Sequence, residues 1–254
     1  MSTPITPNPS HLPNPSHLPN PSHLPNAPIT PTALTRAAGV AAVVAGLLFI
    51  GIQIGHPHLD AAFVTTTEWT VRQTAKVIMT VLSLAGITGM YLCQVRRAGV
   101  LGLVGYLVFG AGYLLMASVE LIGLCALPAL ARHEPGWVDD VLAVATGGHP
   151  AGDIGLLQPL IVVTGLAYLG GGVLFGIALF RARILARWAA ALLAAGTLAT
   201  AAIPLLPMVN QRVFAVPTGI ALIGLGLSLW RDRRTPADRR DDAVRTPLDP
   251  AGVR

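Results

Sequence analysis

The chain has 254 residues, of which 53% are hydrophobic and only 11% are charged, and its formal net charge is +5. Soluble domains carry about 25% charged residues, so this composition excludes an ordinary soluble enzyme and indicates an integral membrane protein. The positive charge does not indicate nucleic-acid binding, because no basic patch is interleaved with aromatic side chains.

Residues 1–35 are predicted to form a disordered, proline-rich N-terminal tail. Three copies of Asn-Pro-Ser-His-Leu-Pro occupy residues 8–13, 14–19 and 20–25, and two prolines per copy support neither helix nor strand. Residues 231–254, which are rich in Arg, Asp and Pro, are predicted to form a disordered cytoplasmic tail.

Between the tails, residues 36–230 contain six segments of 18 or more residues without a charged side chain. An α-helix needs about 20 apolar residues to cross the hydrocarbon core of a bilayer. We therefore predict an all-α fold, a polytopic bundle of six transmembrane helices embedded in lipid. The predicted spans are Ala37–Gly55, Val77–Val95, Ala98–Val119, Ile154–Phe180, Trp188–Gln211 and Val213–Trp230.

Arginine placement predicts the orientation of these spans. With the N-terminus in the cytoplasm, only four of the 17 basic residues fall outside: Arg72, Lys76, Arg132 and Arg212. The positive-inside rule then places both termini in the cytoplasm. Of the 17 basic residues 16 are Arg, which, with the high Ala, Gly, Val and Pro content, indicates a GC-rich bacterial genome and a bacterial plasma membrane.

The loops between the spans carry local signals. Short connections at Arg96–Gly99 and Arg181–Arg187 predict that spans two and three, and spans four and five, are antiparallel neighbours. The run Thr65–Glu68 matches a capping box with Thr65 as N-cap. A later loop is predicted to hold a short helix on the outer membrane surface, from the spacing of Trp137, Val138, Val141 and Val144.

Glu120 is an ionisable residue well inside an apolar run, and such residues usually pair with another group inside the bundle. Lys76 lies 21 residues before Arg97, and Glu120 lies 23 residues after it. On adjacent antiparallel helices these heights differ by about 3 Å, so we expect Lys76 to meet Glu120. Glu68 and Arg72 precede Lys76 at a spacing of four and extend this stripe towards the outside.

The same counting brings further polar residues to this level. Gln158 and Asn210 both lie 26 residues from Ile184, and Gln53 lies at the outer end of the first span. We predict that one outward-facing polar vestibule is lined by the candidate ligand-binding residues Gln53, Arg72, Lys76, Glu120, Gln158 and Asn210. A purely structural polar cluster is the alternative interpretation.

Metal binding and catalysis have weaker signals. His56 and His58, followed by Asp60, resemble a short metal-binding run, because imidazole and carboxylate suit zinc or copper; a solvated loop is the alternative. No nucleophile elbow, phosphate-binding loop or dinucleotide fingerprint occurs, so we predict no catalytic residue, no cofactor and no enzymatic activity. Cys93 and Cys125 are expected about 35 Å apart, and no disulfide is predicted.

Glycine-rich helix faces are a further feature of the predicted spans. Gly51/Gly55 and Gly172/Gly176 are G-x-x-x-G pairs, which let helix backbones approach closely in lipid. We interpret them as contacts within a compact bundle, with homo-oligomerisation through one such face as the alternative.

Two segments carry a resemblance to a known class. Arg36-Ala-Ala-Gly-Val-Ala-Ala-Val-Val-Ala-Gly-Leu opens the first span, and Phe180-Arg-Ala-Arg-Ile-Leu-Ala-Arg-Trp188-Ala-Ala-Ala-Leu-Leu joins the fourth and fifth. The pattern from Arg36 to Trp230 resembles a class of uncharacterised bacterial six-span membrane proteins grouped under domains of unknown function. The resemblance implies membrane residence and no established activity, so it assigns no functional residues.

These observations favour a non-enzymatic membrane protein, accessory or sensory, with an outward-facing polar vestibule. The alternative is a small transporter that binds a solute or ion near Glu120, since three spans in each half would suit an inverted-repeat plan. An intramembrane enzyme would need a paired nucleophile and base, which the sequence does not show.

Overall fold

The computed structural model of the chain describes residues 30–55, 57–201 and 212–231, and every regular element in these stretches is helical. The predicted all-α class is therefore confirmed, while the predicted tails lie almost wholly outside the described residues. The helices are α1 Pro31–Gln53, α2 Ala61–Val64, α3 Thr67–Leu92, α4 Val95–Cys125, α5 Leu127–Leu130, α6 Pro135–Ala145, α7 Leu157–Ala182, α8 Arg187–Ala199 and α9 Val216–Arg231, with a 3-10 turn at Arg212–Ala215.

Five helical segments of the described chain are long and apolar enough to cross a membrane: α1, α3, α4 continued through α5, α7, and α9 with the end of its preceding 3-10 turn. Large hydrophobic side chains project outward from each of them, including Leu47, Val81, Leu107, Leu166 and Ile220. Soluble monomers rarely expose so much apolar surface, so this surface indicates a membrane-embedded, multi-pass protein.

The described residues do not confirm the sixth predicted span, Trp188–Gln211, as one long helix. α8 covers only Arg187–Ala199. Its length is about 20 Å, which is shorter than the roughly 30 Å hydrocarbon core. Pro204 and Pro207 follow in the sequence, and proline cannot donate the hydrogen bond that continues a helix. Residues 202–211 lie outside the described part of the chain, which thus contains five candidate spans rather than six.

Six helices pack side by side in a closed ring, in the order α1, α3, α4, α7, α8, α9 and back to α1. The pairs α3–α4 and α7–α8 are neighbours joined by short turns, as the connection lengths predict. The interior of the ring is apolar over much of its length, and its fully buried side chains include Ile87, Met90, Phe109, Phe175, Leu193 and Leu225.

The ring closes where α1 and α9 pack glycine against glycine. Gly39 faces Gly226, and Gly46 faces Gly219. A Cβ atom built on any of the four lies between 2.5 and 2.9 Å from the carbonyl oxygen of the facing glycine. No larger residue fits at this separation, so these glycines let the two backbones touch.

The two predicted G-x-x-x-G pairs differ in their surroundings. Gly172 and Gly176 pack against α8, where a Cβ atom would meet side-chain or backbone atoms closer than 3 Å. Gly51 and Gly55 have no atom of the described chain within 4 Å of a built Cβ. The first pair is therefore a close helix contact within the bundle, whereas no helix packs against the Cα positions of the second pair, and oligomerisation through it stays a prediction.

Local sequence sets the helix boundaries. α1 begins at Pro31, inside the segment predicted as a tail, because proline suits a first helical residue, whose N–H has no helical partner. Thr66 is the N-cap of α3, and its Oγ1 accepts a hydrogen bond from Trp69 N at 3.2 Å. The prediction of Thr65 as N-cap is wrong by one residue, because the Thr65 hydroxyl donates to Ala62 O at the end of α2.

The two ends of the bundle differ. The hairpin end holds the short α3–α4 and α7–α8 turns. At the opposite end, α2, α5 and α6 form a cap over an apolar cluster that includes Val64, Trp69, Leu127, Val138, Val141 and Leu142. The predicted short helix is confirmed as α6, with Val138, Val141 and Val144 buried. Asp139 Oδ1 accepts a hydrogen bond from Ala61 N at 2.7 Å and ties α6 to α2.

Candidate functional site

A cavity of about 130 Å³ lies beneath the cap, between α3, α4 and α7. This volume is large enough to hold several water molecules. Its walls are mostly apolar, and its charged and amide groups come from α3 and α4. The lining residues are Leu59, Trp69, Gln73, Lys76, Val119, Glu120, Ile122, Gly123, Leu127, Val141, Leu142, Ala145, Thr146, Leu157 and Ile161.

Lys76 and Glu120 form an ion pair in this cavity, with Lys76 Nζ 3.4 Å from Glu120 Oε2. The contact predicted by counting residues about the α3–α4 turn is therefore confirmed. The two side chains are 22% and 17% exposed, so both are largely desolvated but still reach the surface. The contribution of such a pair to stability is intermediate. Exposed ion pairs contribute about 0–1 kcal/mol, and the disruption of a buried pair costs about 3–5 kcal/mol.

Gln73 is the third polar group of the cavity, and sequence reasoning missed it. Its Nε2 donates to Glu120 Oε2 at 2.6 Å, so one carboxylate oxygen contacts both the amide and the ammonium group. Gln73 is 3% exposed, and its Oε1 has no hydrogen-bond partner among the described residues. The cavity therefore presents a positioned carboxylate, an ammonium group and a buried acceptor.

A signal for Gln73 exists in the sequence. Gln73 precedes Ala98 and Gly123 follows it at the same distance in sequence. Residues equidistant from the turn face each other across an antiparallel helix pair, and the Gln73 amide is indeed the nearest group to a Cβ built on Gly123. A glycine opposite a buried glutamine leaves room for the amide beside the α4 backbone.

Trp69 forms the wall next to Gln73. Its Nε1 donates to Gly123 O at 3.0 Å, which satisfies the indole N–H inside the protein. The ring also makes an edge contact with Phe63 of α2, at a centroid separation of 6.1 Å. Trp69 thus joins α3, α4 and the cap at the edge of the cavity.

Arg72 does not line the cavity. Its Nε donates to Glu68 Oε1 at 2.8 Å, and its guanidinium also donates to Ile52 O at 3.1 Å and Gly55 O at 2.9 Å. The end of a helix leaves its last carbonyl groups without helical partners, and Arg72 satisfies those of α1. Glu68 and Arg72 belong to the α1–α3 contact, so the expected single stripe leading to Glu120 is not present.

Two other predicted vestibule residues, Gln53 and Gln158, also lie elsewhere. Gln53 is the half-buried last residue of α1 and is absent from the lining of the cavity. Gln158 is exposed, because Leu157 and Ile161 provide the face of α7 that lines the cavity, and Gln158 is rotated about 100° from Leu157. Asn210 lies outside the described residues.

The predicted metal residues are not brought together with other ligands. His56 lies outside the described residues, and His58 is exposed. In the parts of the chain that the structure describes, no group of three or more His, Cys, Asp or Glu side chains is placed to hold a metal ion. Metal binding at His56 and His58 stays a prediction. Cys93 and Cys125 are not joined to each other by a disulfide.

Comparison with known proteins adds no functional assignment. A scan against protein-family models matches no family, and searches of curated proteins and of solved structures find no similar protein. The resemblance to the six-span class of unknown function stays a prediction, and the functional argument rests on the cavity.

Proposed function

We propose that the chain is a six-pass protein of a bacterial plasma membrane that binds a small polar solute in the cavity beneath the cap. We assign it a non-enzymatic, accessory or sensory role. The observation that carries this proposal is the buried arrangement in which the Glu120 carboxylate contacts Gln73 and Lys76 beside the unpaired Gln73 Oε1. Polar groups held in a mostly apolar cavity are typical of small-molecule sites.

The placement of α8 and of the basic residues supports the sixth pass and the orientation. α8 fills the position between α7 and α9 in the ring, so it follows the same direction across the bundle as a spanning helix. Arginines concentrate at the hairpin end, which fits a cytoplasmic location of this end and of both termini. These residues are Arg36, Arg96, Arg97, Arg181, Arg183, Arg187 and Arg231.

The charges of the cavity suggest the class of solute. Lys76 and Glu120 neutralise each other, so a ligand with a large net charge would disturb their balance. A small zwitterionic or neutral ligand can donate to Glu120 and to Gln73 Oε1 and can accept from Lys76.

The proposal is tested by thermal unfolding of the purified protein with a panel of small zwitterionic and neutral solutes. A ligand present at 100 times its Kd should stabilise the protein by about 2.7 kcal/mol. Glu120→Gln should abolish this stabilisation. Glu68→Gln is the matched control, because Glu68 is a carboxylate of the same chain outside the cavity, and it should keep the response.

A result in which no solute stabilises the wild-type protein, or in which both variants respond like it, contradicts a binding site at Glu120. A purely structural cluster predicts that Glu120→Gln lowers the unfolding temperature without any ligand effect. An N- or C-terminal tag that is accessible from outside intact cells contradicts the orientation.

A small transporter is the second candidate function, and one observation favours it. Buried hydroxyl groups continue from the cavity towards the middle of the ring, which is where transporters bind their substrates. Counterflow of the stabilising solute into proteoliposomes, lost in Glu120→Gln, would support transport. Binding without counterflow would support the sensory role.

A further inference from the structure

Four buried hydroxyl groups from four different helices lie deeper in the ring than the cavity. They belong to Ser83 of α3, Tyr113 of α4, Tyr168 of α7 and Thr218 of α9, and each residue is at most 6% exposed. None of the four oxygens makes a well-formed hydrogen bond among the described residues. We call these residues the hydroxyl layer.

The members of the hydroxyl layer are neighbours. The Tyr113 hydroxyl makes a weak contact with the Ser83 hydroxyl, and the Tyr168 hydroxyl makes one with Thr218, so each pair leaves most of its hydrogen-bonding capacity unused. The two tyrosine rings meet edge to face with their centroids 5.8 Å apart. Unpaired polar groups are costly in a protein interior, and most of all at membrane depth, where lipid offers no partners.

The helix register connects this layer to the cavity. Ser83 lies seven residues after Lys76 on α3, and Tyr113 lies seven residues before Glu120 on α4. Seven residues are two helical turns, so the second pair repeats the first about 10 Å further into the bundle. Thr80 lies between them on the buried face of α3 and is 1% exposed.

Below the hydroxyl layer, the interior of the ring changes from polar to apolar. Towards the hairpin end, the interior of the ring is filled by the fully buried side chains of Ile87, Met90, Phe109, Phe175, Leu179 and Leu225. These residues offer no side-chain hydrogen bonds to water, so an apolar segment separates the hydroxyl layer from Gln94, the buried polar residue at the α3–α4 turn.

We propose that the hydroxyl layer binds water that enters through the cavity, so that a hydrated half-channel extends from the cap end to the middle of the ring. Hydroxyl groups both donate and accept, and they carry no charge, which suits water, whose buried molecules typically need 2–4 polar partners. The proposal deepens the proposed function and rests on it only for the premise that the cavity faces water.

The test is cysteine accessibility in intact cells that express the full chain, with the two native thiols replaced by Cys93→Ser and Cys125→Ser. The probe is a small cationic methanethiosulfonate added outside. Single cysteines are introduced as Ser83→Cys, as Ile87→Cys in the apolar segment below, and as Val81→Cys on the lipid-facing side. Unmodified thiols are then counted by maleimide labelling after denaturation.

Ser83→Cys should react at least about tenfold faster than Ile87→Cys and Val81→Cys, because the reactive thiolate forms in water. Val119→Cys, in the cavity, tests separately whether the cavity is open to water outside the cell. If Val119→Cys reacts and Ser83→Cys is as slow as Ile87→Cys, the hydrated path is refuted while the cavity stands. If Val119→Cys is itself unreactive, the outward-open cavity is refuted, and the path with it.

Two further variants ensure that the test does not depend on Ser83→Cys alone. Thr80→Cys lies between the cavity and the layer, and it should react at a rate between those of Val119→Cys and Ser83→Cys. Adding Tyr113→Phe and Tyr168→Phe to Ser83→Cys removes two hydroxyls, and the rate should fall to that of the Ile87→Cys control. An unchanged rate would overturn the role of the hydroxyls.

Discussion

Gly171→Ala is expected to destabilise the protein, whereas the same change at the adjacent Gly170 is expected to be neutral or stabilising. Gly171 faces α4, and a Cβ atom built on it lies 2.5 Å from Phe109 Cα and 2.7 Å from Val108 C. Ordinary van der Waals contact begins at 3.4 Å, and Gly170 has nothing within 4 Å of its built Cβ. One position therefore has no space for a methyl group and the other is open.

The size of the effect follows from the backbone clash. The contacted atoms of α4 are main-chain atoms, so no side chain can turn away. Relief of the contact with Phe109 Cα alone needs about 0.9 Å, the difference between 3.4 and 2.5 Å, and Phe109 N lies closer still. Overpacking of this kind costs about 1–3 kcal/mol. Alanine also favours a helix over glycine by about 1 kcal/mol, but this gain is common to both variants. The difference between them should therefore be about 1–3 kcal/mol.

The assay is thermal unfolding of both variants and the wild type in the same detergent. For a chain of this size, each kcal/mol lost from the unfolding free energy lowers the unfolding temperature by about 2–4 °C. Gly171→Ala should therefore unfold at least about 2 °C below Gly170→Ala. Gly165→Ala, which is also open, serves as a second control. Equal unfolding temperatures for Gly170→Ala and Gly171→Ala would refute the close α4–α7 packing.

The remaining predictions concern the polar contacts at the cap end. In a double-mutant cycle of Lys76→Met and Glu120→Gln, the unfolding free energies should show a coupling of about 1–2 kcal/mol, and additive changes would contradict the ion pair. Arg72→Met should lower the unfolding free energy by about 1–3 kcal/mol. Arg72→Lys should restore little of this loss, because only the guanidinium fork reaches several carbonyl groups of α1. Full rescue by lysine would contradict the role of Arg72 in holding these carbonyl groups. Asp139→Ala should increase protease cleavage and hydrogen exchange in α2, because the Ala61 N–H loses its acceptor, and unchanged exchange at Ala61 would contradict the tie between α6 and α2.

Heights along the helices could be predicted from the sequence, and this is why Lys76 and Glu120 were placed together correctly. A short turn between two continuous helices converts residue number into height at about 1.5 Å per residue. Rotation about the helix axis was not determined by this counting. Gln158 has the right height but lies about 100° from the face that Leu157 presents to the cavity.

The described residues do not confirm the sixth span, which was predicted from hydropathy alone. The run Trp188–Gln211 is uncharged throughout, but average apolarity takes no account of Pro204 and Pro207, whose nitrogens cannot donate a helical hydrogen bond. Gln73 escaped notice for a related reason, since one uncharged amide changes the apolar character of a long helix very little. Its importance depends on what faces it, and Gly123 is more than 40 residues away in the chain.

The glycine contact between α1 and α9 has a consequence for biosynthesis. α1 leaves the ribosome well before α9, so the surface of Gly39 and Gly46 has no partner until α9 has been synthesised. A chain that stops before Val216 would leave the glycine surface of α1 exposed to lipid or to quality-control proteases. Premature termination should therefore yield rapid degradation rather than a shortened, functional product.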